Sequence, residues 1–215
     1  MRSLKATAFV LSFTALFASS AYAENVRAVM QAPLIVGASV SADYNTASPG
    51  KRLALRHTEA KNIETIARGG KNSLELMPLV DAAALEGRTS VIALDLFFWD
   101  SVLRNSARSV AKLKQIVQRA ADAKIPLVLG DIPDLMGSKQ PGRKKLNGEI
   151  TRLCKAPHGC YLVPLDALLA RIKKDGGLIV GDRLVPMREL LPDGLHLSPV
   201  ASEYIADGIQ AILEK

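Results

Sequence analysis

Short apolar runs rich in branched residues alternate with longer stretches of helical periodicity, and that alternation predicts an α/β domain with a mainly parallel sheet. Two further observations agree. Turn formers gather just after the apolar runs, and the 215-residue chain, 48% hydrophobic, is long enough for a single substantial core. Leu34-Ile35-Val36 reads as the first strand, Val91-Ile92-Ala93-Leu94 as a central one, Pro126-Leu127-Val128-Leu129 as the next and Tyr161-Leu162-Val163 as a late one. A shorter strand is expected at Ile63-Glu64-Thr65-Ile66. Between them, Ser73–Leu85, Ser106–Ala123, Asp166–Lys174 and Val200–Leu213 carry apolar residues three and four positions apart, the spacing of helices with one buried face. Gly130-Asp131-Ile132-Pro133-Asp134 and Ser138-Lys139-Gln140-Pro141-Gly142 form one long loop after the strand ending at Leu129.

The N-terminus carries an address. Arg2 and Lys5 precede an apolar run from Ala8 to Phe17, and small residues follow up to Ala21-Tyr22-Ala23, an A-x-A cleavage pattern. Residues 1–23 are therefore expected to be a secretory signal and residues 24–215 a single mature domain, periplasmic or secreted, with no transmembrane segment. Without Arg2 and Lys5 the basic residues fall from 28 to 26 against 21 acids, a net charge of about +5 spread along the chain. The densest basic run, Arg143-Lys144-Lys145, has no aromatic neighbours on which bases could stack. It reads as a solvated loop or a helix start, and nucleic acid is not an expected partner. Cys154 and Cys160, the only cysteines, lie six residues apart in a chain addressed to an oxidising compartment. A local disulfide is the expectation; a metal site with His158 would lack a fourth ligand.

The chemistry is concentrated at the two ends. In Asp193-Gly194-Leu195-His196-Leu197-Ser198-Pro199 a carboxylate stands three residues before a histidine, so a turn leading into the last helix lets Asp193 hold one ring nitrogen of His196 while the other faces a cleft. Open α/β sheets bind ligands beyond the carboxyl ends of their strands. Directly after the first strand comes Gly37-Ala38-Ser39-Val40-Ser41, where Ser39 can act as nucleophile and offer its own N–H to an oxyanion; capping a helix is the other use of Ser39 or Ser41.

Together these segments resemble the first and last sequence blocks of the GDSL-type SGNH hydrolases. The resemblance implies a three-layer α/β/α sandwich with a flavodoxin-like sheet and a serine esterase or lipase activity that needs no cofactor. It implies Ser39 as nucleophile, His196 as base and Asp193 as its orienter, with the oxyanion held by the N–H groups of Ser39 and of a second-block glycine. Ile66-Ala67-Arg68-Gly69-Gly70-Lys71-Asn72-Ser73 is similar to that second block, with Gly70 the better match and Gly69 the other possibility. The third block departs, because Phe97-Phe98-Trp99-Asp100 stands where the family shows G-x-N-D. Trp99 takes the asparagine's place, and its indole N–H, Asn72 or Asn105 is left to supply the third donor. Ala38 also replaces the aspartate of the family name.

Trp99, Asp100 and Asn72 are expected to line the substrate site, with a small-molecule or glycan ester as substrate, short acyl groups on carbohydrates included. Asp95, Asp100, Asp131 and Asp134 gather at one sheet edge without a histidine at ligand spacing, so turns and caps explain them better than a metal. His57, His158 and Arg183 read as incidental polar residues. The rivals to hydrolysis are a glycan- or partner-binding protein on the same fold and an acyltransferase using the same triad.

Overall fold

The computed structural model describes residues 26–155 and 159–215, so the expected signal segment 1–23 and His158 lie outside the described residues. Five strands, β1 (Pro33–Gly37), β2 (Glu64–Ala67), β3 (Ser90–Ala93), β4 (Leu127–Gly130) and β5 (Cys160–Val163), form one parallel sheet in the order β2-β1-β3-β4-β5. This is the 2-1-3-4-5 order of flavodoxin-like sheets, with its switch point between β1 and β3. A strand covered on both faces needs no polar alternation, and β1, β3 and β4 are buried throughout. Edge strand β2 is exposed at Glu64 and Thr65, which is why its sequence signal is brief.

Pleating sends alternate residues to opposite faces. Leu34, Val36, Val91, Ala93, Leu127 and Leu129 meet Leu113 and Ile116 of the helix Ala107–Asp122 and Leu146 and Ile150 of the helix Arg143–Lys155. Ile35, Ile92 and Val128 meet Leu53 and Ala54 of the helix Pro49–Leu55 and Ile205, Ala206 and Ile209 of the helix Pro199–Leu213. Among the described residues, the α-helices that follow β1 are α1 (Pro49–Leu55), α2 (Ser73–Leu76), α3 (Ala82–Leu85), α4 (Ala107–Asp122), α5 (Arg143–Lys155), α6 (Leu165–Asp175), α7 (Met187–Leu190) and α8 (Pro199–Leu213). A separate antiparallel hairpin, β6 (Gly177–Val180) and β7 (Arg183–Pro186), follows α6. The architecture is the three-layer α/β/α sandwich that the sequence predicts.

Two segments differ from expectation, the Ser73–Leu85 stretch and the hairpin β6–β7, while the basic run at Arg143 takes up the helix start that the sequence allows. The helix expected over Ser73–Leu85 is cut into α2, a 3₁₀ turn at Met77–Leu79 and α3. Pro78 has no N–H to continue the ladder, and Asp81 restarts it by accepting from the Ala84 N–H at 3.0 Å. The basic run at Arg143 opens a full helix, α5, where Arg143 reaches Asp134 at 3.0 Å and Asp166 at 2.5 Å. Hairpin β6–β7 buries only one side: Leu178 and Val185 face α7 and α8, while Ile179 and Leu184 are exposed.

No helix among the described residues is long and apolar enough to cross a membrane. Cys154, near the end of α5, is disulfide-bonded to Cys160 at the start of β5, with the two Cα atoms 5.0 Å apart. The bridge consumes both sulfurs and ties the end of α5 to the edge strand β5. Closing so short a loop stabilises by about 2 kcal/mol on chain-entropy grounds. Cys154→Ser should therefore lower the urea unfolding free energy by about that amount, and intact mass should show two alkylated thiols only after reduction.

Candidate active site

At the carboxyl end of β1 the chain turns sharply, and a carboxylate from the neighbouring strand end fastens the turn. Asp95, two residues beyond β3, accepts the N–H groups of Ala38 at 3.1 Å, Val40 at 2.8 Å and Ser41 at 3.4 Å, and the Ser41 hydroxyl at 2.5 Å. Gly37 makes this approach possible, since a Cβ there would stand 2.1 Å from the Asp95 Oδ1. Loss of water around the Asp95 carboxyl pushes its pKa up, against the pull of these four donors. The residues on either side of Ser39 thus spend their N–H groups on Asp95. The Ser39 N–H has no protein acceptor among the described residues. Ser48, not Ser39 or Ser41, is the serine that caps the following helix, α1.

The closing turn supplies the partner. Asp193 Oδ1 accepts the N–H groups of Leu195 at 3.0 Å and His196 at 2.7 Å, and Oδ2 lies 2.6 Å from His196 Nδ1. Gly194, at φ +78°, gives the turn a left-handed position that a side chain would strain. The other ring nitrogen, Nε2, is 2.9 Å from Ser39 Oγ across 157 residues of sequence. The backbone N–H of His196, and next its ring, hold the Asp193 carboxyl well below the usual carboxylate range. A depressed acid stabilises the fold at pH above its ordinary value of about 3.9, and that contribution is lost as pH falls toward the folded value. Ser198 then caps α8 through the Ala201 N–H, with Pro199 opening the helix.

Tyr44 lays its ring against His196 with centroids 4.1 Å apart, although it is half exposed. It stands between Asp43 and Asn45, both at positive φ, and Asp43 is held by the Ser48 N–H at 2.8 Å and by Lys51 at 2.5 Å. Nothing in the sequence spacing points to Tyr44, because a turn brings it there rather than a helix or strand.

The second-block turn sits beside the serine. A Cβ on Gly69 would meet that of Ser39 at 3.8 Å, whereas one on Gly70 would meet nothing within 4 Å. The nearer glycine is thus Gly69, and neither N–H has a protein acceptor among the described residues. Asn72 and Asp100 do not have the cleft-lining placement that the sequence suggests. Asn72 caps α2 through a reciprocal pair with Glu75, because its short side chain reaches the Leu74 N–H at 3.0 Å. Asp100 is fully buried and accepts the Ser73 N–H and hydroxyl, each at 2.7 Å. It fixes the start of α2, just after the glycine pair. Asn105 likewise spends its carbonyl on the Ala107 N–H at 3.0 Å. Trp99 packs edge-on against Phe98 at 5.3 Å and buries its indole N–H without a protein partner among the described residues.

Asp131 accepts the Asp166 N–H at 2.7 Å, and Asp134 and Asp166 share Arg143, so those carboxylates tie the loops after β4 and β5 together. Arg183 makes a surface ion pair with Glu189 at 3.0 Å, and His57 lies away from the site with its ring nitrogen Nε2 buried.

No protein-family model and no curated protein matches the chain. Solved structures do. The psychrotrophic esterase EstA from Pseudoalteromonas sp. is 18% identical, with 85% of this chain and 96% of that one covered at a TM-score of 0.58. The lipase/acylhydrolase from Enterococcus faecalis is 18% identical over 85% of this chain and 95% of its own, at 0.58. A GDSL-like lipase from Bacteroides thetaiotaomicron is 14% identical over 92% and 96%, at 0.56. At such identities the likeness is one of fold, and it extends over nearly the whole of each relative. The chain has the fold of the GDSL-type SGNH hydrolases.

Proposed function

We propose that the protein is an exported serine hydrolase that cleaves carboxylic esters through an acyl-enzyme. The observation that carries this reading is the unbroken hydrogen-bond chain Ser39–His196–Asp193 at the carboxyl end of the sheet. In that reading Ser39 Oγ attacks the ester carbonyl while His196 Nε2 takes its proton. The proton passes to the leaving alkoxide as the acyl–oxygen bond breaks, and water, activated by the same nitrogen, then releases the carboxylic acid and restores Ser39. Asp193 keeps Nδ1 protonated and offsets the charge of the imidazolium.

The developing oxyanion is assigned to the Ser39 N–H, left open by Asp95, and to the Gly69–Gly70 turn, with Gly69 nearer the serine than the Gly70 favoured by the sequence resemblance. Asp95 is a positioning residue here: it fastens the turn that carries Ser39. The Cys154–Cys160 disulfide supports export, as the N-terminal signal pattern does.

A fluorophosphonate probe tests the nucleophile: wild-type protein should be labelled, Ser39→Ala should not, and folded wild-type protein that neither labels nor turns over any ester overturns the reading. Asp193→Asn should retain the fold and lose about 10³- to 10⁴-fold in kcat, measured on an aryl ester. Gly37→Ala crowds Asp95 and should cost about 1–3 kcal/mol in chemical unfolding, with a fall in kcat larger than any rise in KM.

A further inference from the structure

One cavity of about 100 Å³ includes Ser39 in its lining. Its walls include Leu165 and Ile172 of α6, Leu178 of the β6–β7 hairpin and Ile205 of α8, joined by Leu94 and Leu195. The polar residues among its lining are Ser39, Asp95 and Asp131. Beyond them it offers no donor or acceptor side chain, so a sugar hydroxyl entering it would lose its water without gaining a partner. An aliphatic chain has no such penalty.

Resting on the hydrolase reading above, we propose that this cavity receives the acyl chain of the ester, and that the substrate is an unbranched aliphatic ester of about four to six acyl carbons rather than an acetyl ester. The size follows from volume. A water-sized group takes about 30 Å³ and a cavity of about 150 Å³ holds benzene, so 100 Å³ takes about three or four methylene groups. Ser39 bonds the carbonyl carbon, so a chain in a cavity that begins at Ser39 is placed by the acyl-enzyme itself. The leaving alcohol departs from that bond toward His196 and is assigned no part of the cavity. The hairpin gives the cavity its outer wall: Leu178 faces inward, 5% exposed, while its neighbour Ile179 faces out, 70% exposed.

The test is a chain-length series of p-nitrophenyl esters from acetate to dodecanoate, with kcat/KM read for wild type, Ile172→Phe and Ile172→Ala. Burial of each methylene should raise wild-type kcat/KM about fourfold until the cavity is full, after which the series should level or fall. Ile172→Phe should lower the hexanoate-to-acetate ratio at least tenfold, and Ile172→Ala should move the optimum to longer chains. Fluorophosphonate labelling of Ser39 reports that each variant is folded at the site. A wild-type series with no dependence on acyl length, or the same ratio in both labelled variants, overturns the proposal and leaves the hydrolase reading intact. A chain-length dependence found in alkyl acetates instead of in acyl esters overturns it as well. Should the wild type neither label nor turn over, the hydrolase reading fails. Calorimetry with 1-hexanol on Ser39→Ala then decides the cavity by itself: saturable heat with a negative heat-capacity change supports apolar chain binding, and no heat overturns it.

Discussion

The hold of the Asp95 carboxylate on the turn after β1 is the constraint on which the site depends. A strand that ends in a tight turn leaves several N–H groups pointing the same way, and buried donors without partners cost about 1–3 kcal/mol each. One carboxylate from the adjacent strand end answers three of them and a hydroxyl besides. The geometry is selective, because Ala38 and Val40 are satisfied and the residue between them is not. Gly37 belongs to the same arrangement, since only a residue without a Cβ admits the carboxylate so close. Asp95 also couples the turn to β3, the central strand, so the serine is referred to the most buried part of the sheet rather than to a surface loop.

A second carboxylate does similar work on the other side. Asp100 is removed from water altogether and takes both donors of Ser73, which anchors α2 directly after the Gly69–Gly70 turn. The segment from Asp95 to Asp100 therefore grips the serine turn with its first residue and the glycine turn with its last. The intervening Leu96 and Phe97 are buried in the core, and Phe98 joins the cavity lining beside Ser39. The departure from the G-x-N-D pattern has a structural counterpart: the segment supports both neighbouring turns through backbone donors, while Trp99 turns its ring into the main core.

The parallel strands were legible because full burial leaves an apolar run with no competing explanation, as in Leu34-Ile35-Val36. The Asp193–His196 pair was legible because a three-residue spacing and a single turn suffice to join a carboxylate to a ring. Asp95 was visible as a residue but not as a role, since nothing in a linear sequence states that the N–H groups of Ala38 and Val40 face β3. The block pattern ranks Gly70 above Gly69, whereas the fold brings Gly69 nearer Ser39, because their difference is one of facing within a turn. The apolar spacing from Ser73 continues past Pro78 as if the helix did, but the missing N–H of Pro78 decides the backbone and the helix breaks there. Hairpin β6–β7 escaped notice because its strands lie outside the main sheet, one side covered and the other not, and each is only four residues long.

The two halves of the site come from opposite ends of the chain, and α8 joins them. That helix packs on α1 just past the serine turn, where Ser202 donates to the Ala47 carbonyl at 2.6 Å and Arg52 and Arg56 pair with Glu203. His196 enters only after every strand of the main sheet has been made, and its contact with Ser39 spans 157 positions. In the hydrolase proposed above, synthesis therefore delivers the nucleophile long before the base that would arm it. A chain still emerging from the ribosome carries Ser39 without its histidine partner, and the contact between them arrives as a late event of folding rather than as a property of any fragment.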